Sequence, residues 1–187
     1  MILKDTCNKK TKQDIRLHIK DKYANRNNAI EITNDVFTFL DNMQYNKVGL
    51  YFPIKFELRN DCLLEYLIKN GKDVYFPYMK KVNKDFIFEY HKYNKDIVLD
   101  DLNISSYSGD NISPLFLDII FIPGLAFNIN GYRIGYGKGC YDMLLNNYKG
   151  IKIGICHDDD IIKKDFQECH DIKMNYIITE KRIIKIN

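Results

Sequence analysis

No apolar run in this sequence approaches the roughly 20 residues that a bilayer-crossing helix needs, so no helical membrane span and no membrane partner are expected. Paired cysteines are missing as well. Cys7, Cys62, Cys140, Cys156 and Cys169 are scattered, odd in number and never spaced as CxxC, which argues against a disulfide framework and against zinc. Thiols of that kind suit a cytoplasmic compartment. The opening stretch MILKDTCNKKTKQD has neither the apolar centre of a secretory signal nor the acid-poor, arginine-rich character of a transit peptide, which leads to the same expectation. A surplus of one charge is also absent. The 28 basic and 25 acidic side chains are interspersed, so no polyanionic partner is required and no nucleic acid is expected. Neither repeats nor low-complexity linkers interrupt the 187 residues, and 45% hydrophobic content supports one core. We expect a single domain over 1–187, acting as a monomer.

What is present has the periodicity of an α/β chain. Ile15 and Ile19 share a face in a helix over Lys9 to Tyr23, with Leu17 off that face; Ile32, Val36, Phe39 and Leu40 share one over Asn28 to Leu40. The β-rich runs Val48 to Pro53 and Asp73 to Pro77 each end on proline. Between them, Asn60 is placed to cap a helix from Asp61 to about Lys69, which Gly71 stops. Phe86 to Tyr90 alternates weakly, as an edge strand would. From Lys92 to Pro114 the residues are largely Asp, Asn, Ser and Gly, and loop is expected. A strand over Leu117 to Ile122, a helix from Cys140, a strand over Ile151 to Cys156 and two short β-rich runs from Asn175 and Arg182 follow. Strands alternating with helices predict a three-layer α/β/α domain on a mostly parallel sheet, with its ligand site beyond the strand C-termini.

The glycine loop between that strand and helix is the most informative stretch. Gly131 to Asp142 reads GYRIGYGKGCYD, with four glycines around Arg133 and Lys138. Glycine is tolerated where backbone must take positive φ or press against a ligand, and consecutive free N–H groups form a nest for an anion. Two fixed cations make a polyphosphate the natural guest. The loop is not a P-loop, because Lys138 is followed by Gly139 rather than Ser or Thr, and its third glycine comes one residue too early for the dinucleotide GxGxxG pattern. A phosphate site of another kind is indicated.

Asp118 to Leu145, DIIFIPGLAFNINGYRIGYGKGCYDMLL, closely resembles the signature of the 5-formyltetrahydrofolate cyclo-ligases: an apolar strand, a Pro-Gly-x-x-Phe turn, then Gly-x-Arg-x-Gly-x-Gly-x-Gly-x-Tyr-Asp. Lys12 and Arg16 match the family's N-terminal Lys-x-x-x-Arg, and Glu168 to Asp171 with Ile177 to Glu180 match its C-terminal Glu-x-His-Asp and Thr-Glu. Glu57, Phe76 and Pro77 fall at matching distances between them. The resemblance implies ATP-dependent closure of 5-formyltetrahydrofolate to 5,10-methenyltetrahydrofolate, with magnesium required. It also implies roles residue by residue. Arg133 and Lys138 would be catalytic, and Lys12, Arg16, Arg133, Gly135, Gly137, Lys138, Gly139 and Tyr141 would bind ATP. Phe52, Glu57, Tyr136, Lys138 and Cys140 would bind the folate, with Glu57 holding the pteridine, and Asp142 and Asp171 would hold magnesium.

Four departures from the family pattern stand out. Asn128 stands in place of the usual Asp, Cys140 in place of an aromatic against the substrate, and Tyr78 in place of a basic residue. His157 with Asp158 to Asp160 replaces a Phe and a downstream Gln. An alternative reading is therefore a nucleotide-binding or regulatory protein on the same scaffold. KDVYFPYMKK, with aromatics between lysines, suggests a third, a single-stranded nucleic-acid binder.

Overall fold

The computed structural model describes residues 2–23, 34–83, 85–145 and 147–187. Helices α1 (Ile2–Tyr23), α2 (Asn34–Asp41), α3 (Asp61–Lys69) and α4 (Cys140–Leu145) are interspersed with short strands. In chain order these are β1 (Lys47–Gly49), β2 (Asp73–Val82), β3 (Asp85–Lys92), β4 (Ile97–Leu99), β5 (Ser105–Tyr107), β6 (Asn111–Ile112) and β7 (Ile119–Pro123). Then follow β8 (Ala126–Asn128), β9 (Arg133–Ile134), β10 (Ile151–Ile155), β11 (Ile161–Ile162), β12 (Tyr176–Ile178) and β13 (Ile183–Lys185). The main sheet runs β13-β12-β10-β7-β1-β2-β3-β6. Its middle strands β12, β10, β7, β1 and β2 are parallel, as predicted, and β13, β3 and β6 are antiparallel at the margins.

Both faces of the sheet are buried, which is why its strands read as continuous apolar runs rather than strict alternation. On one face Val48, Leu50, Phe121 and Ile153 pack against Val36 and Leu40 of α2 and Leu63 and Leu67 of α3. On the other, Ile120, Ile122 and Ile177 meet Leu144 and Leu145 of α4. Helix α1 covers neither face. Its Ile19 and Tyr23 pack on Leu125, Ala126 and Ile134 of the small β11-β8-β9 sheet, while Leu17 is exposed as its phase predicts.

Several expectations change. Residues 28–33 of the second expected helix lie outside the described residues, and α1 begins earlier than Lys9. Asn60 precedes α3 without capping it, because its amide donates instead to the Tyr51 carbonyl at 2.8 Å. Gly71, at φ +69°, does end that helix, its N–H reaching the Ile68 carbonyl. β2 continues past Pro77. Pairing with β1 stops at Tyr75, and further on the Met79 and Lys81 amides turn to the Asp100 and Asp101 carboxylates, so Pro77 lies on an open side that asks no amide of it.

The expected loop from Lys92 to Pro114 contains β4, β5 and β6, and β3 is paired on both sides at its C-terminal end. Buried Asp100 organises this stretch. Its carboxylate accepts the amides of Met79, Leu102 and Ile104, a local device with no period to detect.

Chain direction places the site. From β1 the chain passes to β2 on one side, and from β7 to β10 on the other, so a crevice opens beyond the C-terminal ends of the adjacent strands β1 and β7.

Candidate active site

Two cavities meet at that crevice. The first, about 260 Å³, is lined by Tyr51, Phe52 and Glu57 after β1, by Pro77, Met79 and Phe88 of the β2–β3 pair, and by Arg133 and Tyr136 to Tyr141. The second, about 230 Å³, is lined by Lys12, Arg16, Arg133, Gly135, Gly137, Gly139, Asp142, Glu168, His170 and Asp171. Arg133, Gly137 and Gly139 belong to both.

The glycine loop keeps this boundary thin. Gly137 at φ +94° and Gly139 at φ +69° occupy backbone space that side chains strain to enter. A Cβ on Gly135 would lie 2.2 Å from the Arg133 guanidinium. Arg133 therefore lies along the loop backbone, its guanidinium 5.1 Å from the Tyr141 ring centre and 3.7 Å from the Asp142 carboxylate. Arg16, reaching over from α1, donates to the Gly135 carbonyl at 2.8 Å. Burial, then the charge of Arg133, lowers the Arg16 pKa, against the raising influence of Glu168 and Asp171. Two guanidiniums held near one another in this way favour an anion between them.

Acidic groups occupy the far wall. The Lys12 ammonium lies 2.6 Å from Asp171 and 3.5 Å from Glu168, with all three side chains less than a tenth exposed. Asp171 also accepts the Glu168 amide at 2.7 Å, and Glu168 lies 3.2 Å from the exposed His170 ring. Among the described residues, Glu168, His170 and Asp171 bring ligand atoms within 4.8 Å of one another. Asp142 faces the same cavity from α4 but does not join that cluster. Sequence reasoning gave a role to Asp171 and none to Glu168 or His170, although all three fall in the matched Glu-x-His-Asp stretch.

In the first cavity, burial raises the Glu57 carboxyl to about 7, opposed by the Ile54 N–H, which it accepts at 3.0 Å, and by Arg133. Tyr136 donates to the Ile54 carbonyl at 3.1 Å, and burial, then the Glu57 charge, pushes its phenol up to about 12. Phe52 is fixed by rings of Phe76 and Tyr107 about it, at 4.9 and 5.1 Å. Lys138 is exposed on the loop, and Cys140 is half-buried beside it.

A family model for the 5-formyltetrahydrofolate cyclo-ligases matches residues 8–180. The chain belongs to that family. It is an enzyme of that kind, a ligase of folate metabolism. It is 29% identical over 143 residues to the 5-formyltetrahydrofolate cyclo-ligase of Escherichia coli K12, covering 73% of this chain and 79% of that one. The NMR structure of Aquifex aeolicus 5,10-methenyltetrahydrofolate synthetase superposes with a TM-score of 0.77 at 26% identity, covering 94% of this chain and 93% of that one. For the Mycoplasma pneumoniae 5,10-methenyltetrahydrofolate synthetase the TM-score is 0.69 at 26% identity, with 90% and 98% covered.

The departures from the cyclo-ligase pattern now have places. Tyr78 stacks flat on His91, centroids 4.3 Å apart, one residue out of phase with Pro77 and Met79 of the first cavity. Buried Asn128 donates to Gln167 at 2.9 Å and accepts the Tyr132 amide at 2.9 Å, a pairing that needs both ends of an amide. His157 is buried against Tyr23, ring centres 5.3 Å apart, and is absent from the linings of both cavities. Burial raises the neighbouring Cys156 thiol well above its usual pKa, which removes it as a nucleophile. Cys140 alone of the four departures lines the first cavity. Tyr75 and Phe76 of KDVYFPYMKK are buried, so that segment offers no such stacking platform for bases. No described helix is long and apolar enough to cross a membrane.

Proposed function

We propose that the chain closes 5-formyltetrahydrofolate to 5,10-methenyltetrahydrofolate with consumption of ATP and release of ADP and phosphate. The observation that carries this reading is the pair of cavities sharing Arg133, Gly137 and Gly139, one largely apolar with the buried carboxyls of Glu57 and Asp100 in its wall and one lined by cations and carboxylates. The pterin enters the first. Its paired N–H donors meet Glu57, and Phe52, Tyr136 and Cys140 border its ring. The triphosphate lies in the second, along the amides of Gly135, Gly137 and Gly139, with Lys12, Arg16 and Arg133 as counter-charges and Tyr141 under the Arg133 plane.

Formamide oxygen is a poor leaving group. It attacks the γ-phosphorus, the bond to ADP breaks, and an iminium phosphate results. The neighbouring amine then adds to the formyl carbon, loses its proton and expels phosphate through cleavage of the carbon–oxygen bond. Lys138, at the mouth of the first cavity, offsets negative charge on the oxygens in transfer, and Arg133 holds the phosphate in line from the shared wall.

Asp142 and Asp171 fit magnesium, as does the adjacent Glu168, because hard carboxylate oxygens are what magnesium beside phosphate takes. Glu168 Oε1 is buried without a hydrogen-bond partner, a state that a cation relieves. Bound there, magnesium would neutralise phosphate charge.

Incubation of the purified protein with ATP, magnesium and 5-formyltetrahydrofolate tests the proposal. Absorbance of the methenyl product should rise in step with ADP. ATP binding without that rise would favour a regulatory nucleotide-binding role.

A further inference from the structure

We infer that the Lys12 ammonium is the resident cation of the Glu168–Asp171 pair, and that a divalent ion and nucleotide enter together by displacing it. The inference rests on the metal and phosphate assignments proposed above and adds an exchange between them. Lys12 cannot serve both as drawn. At 2.6 Å from Asp171 its charge is spent on the carboxylate that would face a metal, and at 3.5 Å it also neutralises Glu168. A divalent ion bound to these oxygens would meet a like charge within a few ångströms, in a site that water screens little.

The surrounding geometry gives the ammonium somewhere to go. Lys12 lies one helical turn before Arg16 on α1, and both line the cavity that the glycine loop bounds, so a modest swing of its flexible stem transfers it from carboxylate to phosphate. Glu168 keeps one oxygen, Oε1, buried and unbonded, and its other oxygen lies 3.2 Å from His170. The pair is thus under-satisfied by a single ammonium. Without nucleotide, the displaced ammonium would have no anion to meet, so metal alone binds poorly. With nucleotide, each charge finds a partner, and the two ligands reinforce one another.

Manganese titrated onto nucleotide-free protein, with the free ion counted by electron paramagnetic resonance, tests the exchange. Lys12→Met keeps the stem and removes the charge. It should bind manganese on the order of tenfold more tightly than wild type. Equal or weaker binding overturns the exchange. Should that variant fail to fold, Glu168→Gln serves instead. With a non-hydrolysable ATP analogue present, it should bind manganese on the order of tenfold more weakly, and unchanged affinity removes Glu168 from the pair. A separate arm guards the underlying assignment. If Asp171→Asn leaves manganese affinity in the presence of the analogue unaltered, the metal site itself is misplaced and the exchange falls with it.

Discussion

Replacing Glu57 with glutamine should stabilise the empty protein at alkaline pH and at the same time weaken its hold on the folate. Burial raises this carboxyl from 4.5 to about 7, against the Ile54 amide and Arg133. Between those two values the unfolded chain has given up the proton while the folded chain keeps it. Stability is therefore fully present below 4.5 and is lost as pH rises toward 7. A shift of this size corresponds to roughly 3 kcal/mol by pH 8. Urea denaturation of wild type and Glu57→Gln at pH 8 and pH 5 measures it. The variant should gain about 1–3 kcal/mol at pH 8 and less than about 1 kcal/mol at pH 5. An equal gain at both, or a loss at pH 8, refutes burial of an ionised group as the cause. With Glu57 on the pterin as proposed, folate binding would have the opposite preference, since N–H donors favour the charged carboxylate. Wild-type affinity should fall by up to about tenfold per pH unit below 7, and the variant should bind more weakly with a flat profile.

Lys138→Ala should lower kcat by on the order of a hundredfold with little change in Tm, because the side chain is exposed; near-normal turnover would remove it from the chemistry. Asp142→Asn should raise the magnesium concentration needed for half-maximal rate and leave the circular dichroism spectrum intact. An unchanged requirement contradicts its assignment. Gly137→Ala forces a side chain into φ +94° with Arg16 3.5 Å away, so stability should drop by about 1 kcal/mol and the KM for ATP should rise more than that for folate. The reverse split would place the loop against the pterin alone. Cys140→Tyr should lower the KM for folate by several-fold through ring stacking, and no change would mean that this side chain does not face the substrate.

The parallel strands were legible because burial on both faces leaves nothing but apolar residues, as at Ile119–Pro123. The glycine loop was legible because positive φ is chemically restrictive: few residues other than glycine tolerate the geometry of positions 137 and 139. Strands β4 to β6 were not, since two or three residues carry no period; the turn from β4 to β5 is held by the Asp100 carboxylate and β6 by its pairing with β3. Pro77 misled for a related reason. A proline ends a strand only where a neighbour requires its amide, and whether β1 reaches that far is a tertiary fact. Glu168 escaped because a buried acid and an exposed one look alike in sequence. Its place beside Lys12, 156 residues away in the chain, comes from α1 packing on the small sheet through Ile19 and Tyr23.

Arg133 ties the two cavities into one electrostatic unit. Its charge pulls down the pKa values of Glu57 and Tyr141 in the first cavity, against their burial, and of Arg16 in the second. A triphosphate drawn to Arg133 would offset the charge that helps keep Glu57 ionised, so phosphate alone works against the pterin contact. A divalent ion on the phosphates would restore the positive balance near the shared wall and, with it, the carboxylate proposed to hold the ring. The requirement for metal would then extend beyond phosphoryl transfer to folate affinity. Folate binding measured with a non-hydrolysable ATP analogue should tighten when magnesium is added, and the effect should vanish in Glu57→Gln. If magnesium tightens folate binding equally in that variant, Arg133 does not couple the cavities through Glu57.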